Sequence, residues 1–356
     1  MDGNLRTTVA GFAGAIVVLA VLFSLVGIGR IIAVLSRANP LIVAILPGVV
    51  VVWLLSWGLL LRVVVSVLDG RLTVVSSVLI YTVAMFANNI TPFGQAGGEP
   101  VSAYFIADAT DSKYEKGLAT IASVDAIHFV PSLSLAALGL ASIAATAALN
   151  QRLRAAAVIV VGLGIVIFLI AIFVWNFRVR VENIVVRLVM PVATIVARLI
   201  PNRAPPDRET IVARVEGFFV AVERVATNRR SLALAFGFAT AGWITLASIL
   251  WLSLYALGYS VPIAIPLVVV PLGSIASITP LPGGLGGIES VLIALLVSMA
   301  GIDPAAASAA VLLHRTASYW LPTFIGGIVA SVFSVQSRSH LEPQRDSDSE
   351  SESRFR

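Results

Sequence analysis

The residues able to do chemistry in this chain are few, and they sit in or beside apolar sequence: Glu99, Asp125, His128, Glu289, His314 and Arg315. An ionisable side chain in hydrocarbon is expensive and needs a partner or a polar path. Asp125 and His128 are three apart, hence on one helix face, where they can relay protons or simply satisfy each other. The structural role is the favoured one for His128. Arg315 lies near the middle of an apolar run, beside His314 and ahead of Tyr319-Trp320-Leu321-Pro322. Its partner is either Glu289 within the protein or a phosphate from outside it. Glu99 and Glu289 can face a cation or head-group amine, couple to protons, or cap broken backbone near a helix N-terminus.

Both glutamates close a repeated motif. Asn89-Ile90-Thr91-Pro92-Phe93-Gly94-Gln95-Ala96-Gly97-Gly98-Glu99 is echoed by Ser277-Ile278-Thr279-Pro280-Leu281-Pro282-Gly283-Gly284-Leu285-Gly286-Gly287-Ile288-Glu289. Proline removes a backbone donor and glycine loosens the chain, so neither stretch builds a plain spanning helix. Two broken helices from two internal repeats are expected, the arrangement that lines substrate paths in transporters. Amides after Gly97-Gly98, Gly283-Gly284 and Gly286-Gly287 can converge on an anion such as phosphate. Alternatively, the glycines only permit close helix crossing. The coincidence of Pro, Gly and Glu in both places favours the site, with Thr91, Pro92, Gln95, Thr279 and Pro280 alongside.

The composition excludes a soluble protein. Of 356 residues, 58% are hydrophobic and 12% charged, and mean hydropathy is +0.97. A globule of this length cannot bury that much apolar surface, so the bilayer must be its solvent. There is no cysteine, so thiolate chemistry and disulfides are excluded. Three histidines lack metal-ligand spacing, and the glycine motif lacks the Gly-Lys-Ser/Thr ending of phosphate loops. No cofactor and no catalytic constellation are expected. The net charge of +5 follows from one arginine-rich loop rather than a nucleic-acid footprint.

Apolar runs of spanning or near-spanning length cover about 6–29, 40–67, 72–92, 115–148, 154–177, 231–258, 262–279, 284–300 and 304–335. The stretch 95–107 is too short to cross alone, and the long run 115–148 is expected either to kink at Pro131 or to extend beyond the hydrocarbon. Between 178 and 230 two amphipathic stripes appear, the second being Ile211, Val215, Phe218, Phe219 and Val222, with Asp207 as its cap. They read as helices on the membrane surface or on the bundle. This segment holds ten Arg against five acidic residues, which places it in the cytoplasm. Both termini then fall inside. The expected fold is an all-α polytopic bundle with an inverted internal repeat and two broken or re-entrant hairpins. The first repeat spans 1–150, the second 151–336 with the insertion 178–230, and a disordered polar tail covers 337–356. Thr91 and Thr279 stand 188 residues apart, Glu99 and Glu289 190, and Pro131 and Pro322 191, a slow drift that a duplicated unit produces.

The stretches 90–100 and 279–289, with Arg315 and Tyr319-Trp320-Leu321-Pro322, resemble the flippase-like family, also called the lysylphosphatidylglycerol synthase transmembrane region, over about 6–335. The resemblance implies a multi-pass cell-membrane protein that moves a phospholipid or polyprenyl-linked lipid between leaflets. Neither the soluble aminoacyl-transfer domain of the synthases nor the glycosyltransferase domain of some relatives is in the sequence, so synthase activity is not expected. Membrane lipids are the expected partners, together with a separate lipid-modifying enzyme or glycosyltransferase, a homo-oligomer, and no nucleic acid. An ion-coupled transporter of a small solute or an intramembrane lipid-modifying subunit is the alternative. Substituting Arg315 by Ala is expected to impair lipid movement without unfolding the chain.

Overall fold

The computed structural model describes residues 2–91, 95–146, 208–279 and 281–332, with isolated positions between 162 and 190. Among the described residues every regular element is helical. The helices are α1 (Asp2–Val26), α2 (Ile28–Leu35), α3 (Pro40–Val67), α4 (Val74–Ile90), α5 (Gln95–Ala109), α6 (Tyr114–Thr146), α7 (Arg208–Thr227), α8 (Arg229–Ala256), α9 (Ala264–Ser274), α10 (Gly287–Ala300) and α11 (Pro304–Arg315). Short 3₁₀ turns, Ile275–Ile278 and Pro282–Gly284, join α9 to α10, and a π-helical turn, Thr316–Trp320, carries α11 into helix 321–332.

The element order repeats. A long helix (α3, α8), a short one (α4, α9), a break, a short one (α5, α10) and a final helix (α6, α11 onward) occur twice. Helices α3 and α8 are each 28 residues long, and each begins at an asparagine cap. Asn39 accepts from the amides of Leu41 at 3.0 Å and Ile42 at 3.4 Å, and Asn228 accepts from Ser231 at 3.1 Å. A cap of this kind satisfies donors that the first helical turn cannot pair internally.

The two halves interlock. Helices α3 and α8 pack side by side along the core, and the Trp57 indole donates to Ala239 O at 3.4 Å. The final helix of each half then presses a glycine against the first hairpin arm of the other. A Cβ on Gly139 of α6 would come 2.7 Å from Ala264 O of α9, and one on Gly326 would meet Thr82 O of α4. Such close backbone approach is how helices pack where lipid supplies no hydrophobic drive. Helix α1 covers the second motif, with Ala15, Leu285 and Tyr319 in one buried cluster.

Among the described residues, four helices are long and apolar enough to cross a bilayer: Pro40–Val67, Tyr114–Ala144, Arg229–Ala256 and Pro282–Ala300. The pair Gly11–Val26 and Ile28–Leu35 makes a fifth if it counts as one span, but it is bent by 84°. The apolar run 6–29 therefore ends earlier than its composition implies, because Gly27 takes φ 100° and turns the chain. Pro131 does not interrupt α6, which runs for 33 residues. The second amphipathic stripe forms α7, packed on the bundle. Ile211 and Val215 are buried with Val186, and Phe218 and Val222 rest on the main core. Asp207, most of the apolar run 154–177, most of the first stripe and the tail 337–356 lie outside the described residues.

Candidate functional site

The second motif is held by its own glutamate. Glu289 is 2% exposed, and one carboxylate oxygen accepts the Gly286 amide at 2.6 Å while the other accepts Arg315 Nε at 2.6 Å. Arg315 Nη2 donates to Gly283 O at 3.2 Å, and its guanidinium lies 4.5 Å from the centre of the Tyr319 ring. Cation, carboxylate and ring thus stabilise one another in a place where none can be hydrated. Gly283, Gly284 and Gly286 all have φ between 55° and 83°, a conformation that excludes most other residues. The anion at the start of α10 is therefore Glu289 itself, at the positive end of the helix. Of the two partners open to Arg315, the protein uses Glu289.

The first motif meets this network directly. Tyr319 donates its hydroxyl to Asn89 O at 3.0 Å, and Asn89 Nδ2 donates to Thr323 Oγ1 at 2.8 Å. A Cβ on Gly283 would strike the Tyr319 ring and come 3.2 Å from Asn89 Cα. The break after α4 and the 3₁₀ turn before α10 are therefore in contact, as the repeat argument requires. At the first break Gly98 is pressed against Asn88, whose side chain a Cβ there would overlap.

Where the motifs converge, the structure holds a cavity of about 390 Å³. Its wall takes Asn88 and Asn89 from the first motif, Ser277 and Gly283 from the second, Asp125 and His128 from α6, and His314, Arg315 and Ser318 from the last helix. Apolar groups such as Met85, Leu133, Leu246 and Leu292 fill the rest of the wall. Asn88 Oδ1, Asp125 Oδ2, both His128 nitrogens and His314 Nδ1 are shielded from solvent and have no hydrogen-bond partner within the protein. Polar atoms of this kind are costly unless something binds them. Two other wall residues, Phe129 at 50% and Ile275 at 39%, reach the outer surface, and both are apolar.

Of the residues singled out in the sequence, Asp125, His128, Gly283, His314 and Arg315 are on the cavity wall. Gly98, Gly284, Gly286, Gly287, Glu289 and Tyr319 brace the surrounding backbone instead, and Glu99 lies in the first turns of α5. Thr91 caps its own helix by donating to Ala87 O at 2.8 Å, and Thr279 Oγ1 is buried against Gly287. Gln95 and Gly97 open α5, and Pro92 and Pro280 lie outside the described residues.

Three tryptophans outside the motifs join the wall: Trp53, Trp57 and Trp243 pack in the main core and also line the cavity. The His128 ring lies 4.4 Å from that of Trp57, which meets Trp243 at 5.6 Å and Tyr81 at 5.9 Å. Trp243 donates to His128 O at 3.2 Å. The signal was present: Trp53 and Trp243 obey the same offset of 190 as the two glutamates.

Comparison with known proteins agrees with this architecture. The family described as the lysylphosphatidylglycerol synthase TM region is matched over residues 8–326. A UPF0104 membrane protein of Methanothermobacter thermautotrophicus is 26% identical over 340 residues, covering 94% of this chain and 96% of that protein. Another, of Pyrococcus horikoshii, is 27% identical over 318 residues, 85% of this chain and 90% of its own length. The protein named glycosyltransferase AglD of Haloferax volcanii is 24% identical over 353 residues, which cover 90% of this chain and 53% of AglD. With the repeated broken hairpins, the buried Glu289–Arg315 pair and a match across nearly its whole length, this multi-pass membrane protein belongs to the lysylphosphatidylglycerol synthase TM region family.

Proposed function

We propose that the protein moves a membrane lipid between leaflets, with the head group entering the cavity between the two broken hairpins. The observation that carries this reading is the pairing of unpartnered polar atoms inside with apolar Phe129 and Ile275 at the rim. A head group needs the first and acyl or polyprenyl chains need the second. A transporter of a small hydrophilic solute would instead want a polar entrance. Arg315, although charge-paired with Glu289, retains guanidinium hydrogens beyond those given to Glu289 and Gly283, which can donate to a phosphate oxygen of a lipid head group. No bond is made or broken in this reading. The glycosyltransferase-named relative, of which this chain matches about half, supports work beside a separate lipid-modifying enzyme.

The test is a leaflet-resolved exchange assay on the full chain in proteoliposomes, run over anionic phospholipids and polyprenyl phosphates. At least one lipid should exchange faster than in protein-free vesicles. Ser318→Phe, which fills the cavity, should slow that exchange about tenfold or more. If every lipid in the panel exchanges no faster than without protein, the reading fails.

A further inference from the structure

The duplicated unit carries the same pair of positions twice, with opposite chemistry. Glu289 and Arg315 in the second half correspond, at an offset of 190 residues, to Glu99 and Asp125 in the first. In the second half the pair is a buried carboxylate and a guanidinium, 2.6 Å apart and mutually neutralised. In the first half both positions are carboxyl groups that lie close to one another, and Asp125 Oδ2, buried on the cavity wall, receives no donor from the protein. Like charges held close together repel strongly where water is scarce, which favours a proton on one of the two.

Among the described residues, none supplies a free cation to substitute for that proton. Tyr81 of α4 lines the same cavity as Asp125, and His128 lies one turn along α6 with both nitrogens unpartnered. Across the cavity is His314, only 4% exposed and with Nδ1 unpartnered, and beside it Arg315, which is committed to Glu289. Helix α8 presents Trp243 and α3 presents Trp57. Helix α9 carries no titratable residue, and Arg62 of α3 is turned away to Leu72 O at 2.9 Å. On α7, Arg214 is held by Glu115 at 3.1 Å, ten residues and about 15 Å along α6 from Asp125. The described residues form no cluster of metal-ligating side chains.

We propose that the Glu99–Asp125 carboxyl pair, with His128 facing the same cavity, is a proton-binding site, and that proton movement through it drives lipid passage. The coupling rests on the lipid reading above; the proton site does not. In one state a single proton is shared between Glu99 and Asp125. In the other the pair gives that proton to His128, or to water on the far side, as the head group enters or leaves.

Two measurements separate the claims. The first uses purified full chain in detergent and follows tryptophan emission from about pH 4 to about pH 9. Trp57 is in ring contact with His128, so a proton arriving there should quench its emission. The wild type should titrate, His128→Asn should lose the change, and Asp125→Asn and Glu99→Gln should shift its midpoint. These replacements are nearly isosteric, and a monodisperse, unchanged elution profile shows that they fold. A titration identical in the wild type and all three variants overturns the proton site, whatever the lipid result.

The second measurement reconstitutes the chain with labelled phosphatidylglycerol, and separately with a polyprenyl phosphate. Membrane potential is clamped by potassium and valinomycin, and trapped pyranine reports internal pH. With one proton per lipid, the steady-state leaflet ratio should move by up to about tenfold for each pH unit imposed, and Asp125→Asn should abolish the shift. Exchange that occurs but ignores the gradient overturns the coupling and leaves the lipid reading standing. No exchange of either lipid, with an intact tryptophan titration, removes the lipid reading and its coupling while the proton site stands.

Discussion

Arg315 is the residue on which most of the second half's polar structure converges. Its guanidinium meets the Glu289 carboxylate, the Gly283 carbonyl and the Tyr319 ring within one helical turn of the cavity. Removing one partner of a buried ion pair leaves the other charge uncompensated, a loss of about 3–5 kcal/mol. Arg315→Ala should therefore lower the melting temperature in detergent sharply, contrary to the expectation from sequence that it would impair movement alone. The double change Glu289→Leu with Arg315→Met should melt closer to the wild type, since no orphan charge remains. If Arg315→Ala melts like the wild type, the pair does not brace the fold. Sequence made Glu289 legible as the partner of Arg315 within the protein, with a phosphate as the alternative, because an arginine in an apolar run needs a counter-charge. It did not make Glu99–Asp125 legible, because two acids are not expected to attract. Only the repeat register joins them.

At the scale of elements, the breaks were readable from Pro and Gly set close together in both motifs, although Gly97, Gly98 and Glu99 fall inside α5. The amphipathic stripe of α7 was readable from its spacing. What holds α7 in place was not, since it depends on distant partners. Arg224 grips Asp69 in the loop after α3 through two hydrogen bonds of 2.5 and 2.8 Å, and Arg214 reaches Glu115 at the start of α6. Asp69 lies outside the spans, and Glu115 is the second residue of the span Tyr114–Ala144. The Arg224 hydrogen bonds hold the Asp69 carboxyl below its usual value of 3.8. A depressed carboxyl stabilises the docked state fully above its unfolded value and loses that effect as pH falls through the folded one. Below about pH 4, α7 should loosen and become more accessible to protease, and Asp69→Asn should show the same accessibility at neutral pH. Cleavage in α7 that is independent of both changes would mean the buried Ile211, Val215 and Ala221 hold it unaided. The π-helical turn at Thr316–Trp320 was not readable either. It lies between Arg315 and Pro322, and such turns mark places where a helix face has been re-aimed toward a site.

For the whole molecule, the question is whether the two halves move. The cavity is built from both, and the first motif is tied to the last helix by the Asn89–Thr323 hydrogen bond of 2.8 Å. Repeat-built transporters open alternately by rocking one unit against the other around a fixed site. The glycine contacts at Gly139 and Gly326, one from each half onto the other, are where such a shift would have to slide. The chain contains no cysteine, so an introduced pair is the only thiol chemistry present. Asn89→Cys with Thr323→Cys, joined by a short reducible thiol cross-linker, should stop lipid exchange in proteoliposomes, and reductant should restore it. Each single cysteine variant, treated identically, should keep exchanging, which separates tethering from loss of the hydrogen bond. Undiminished exchange in the cross-linked protein would make the cavity a static cleft along which head groups slide, with the broken hairpins serving only to supply its polar wall.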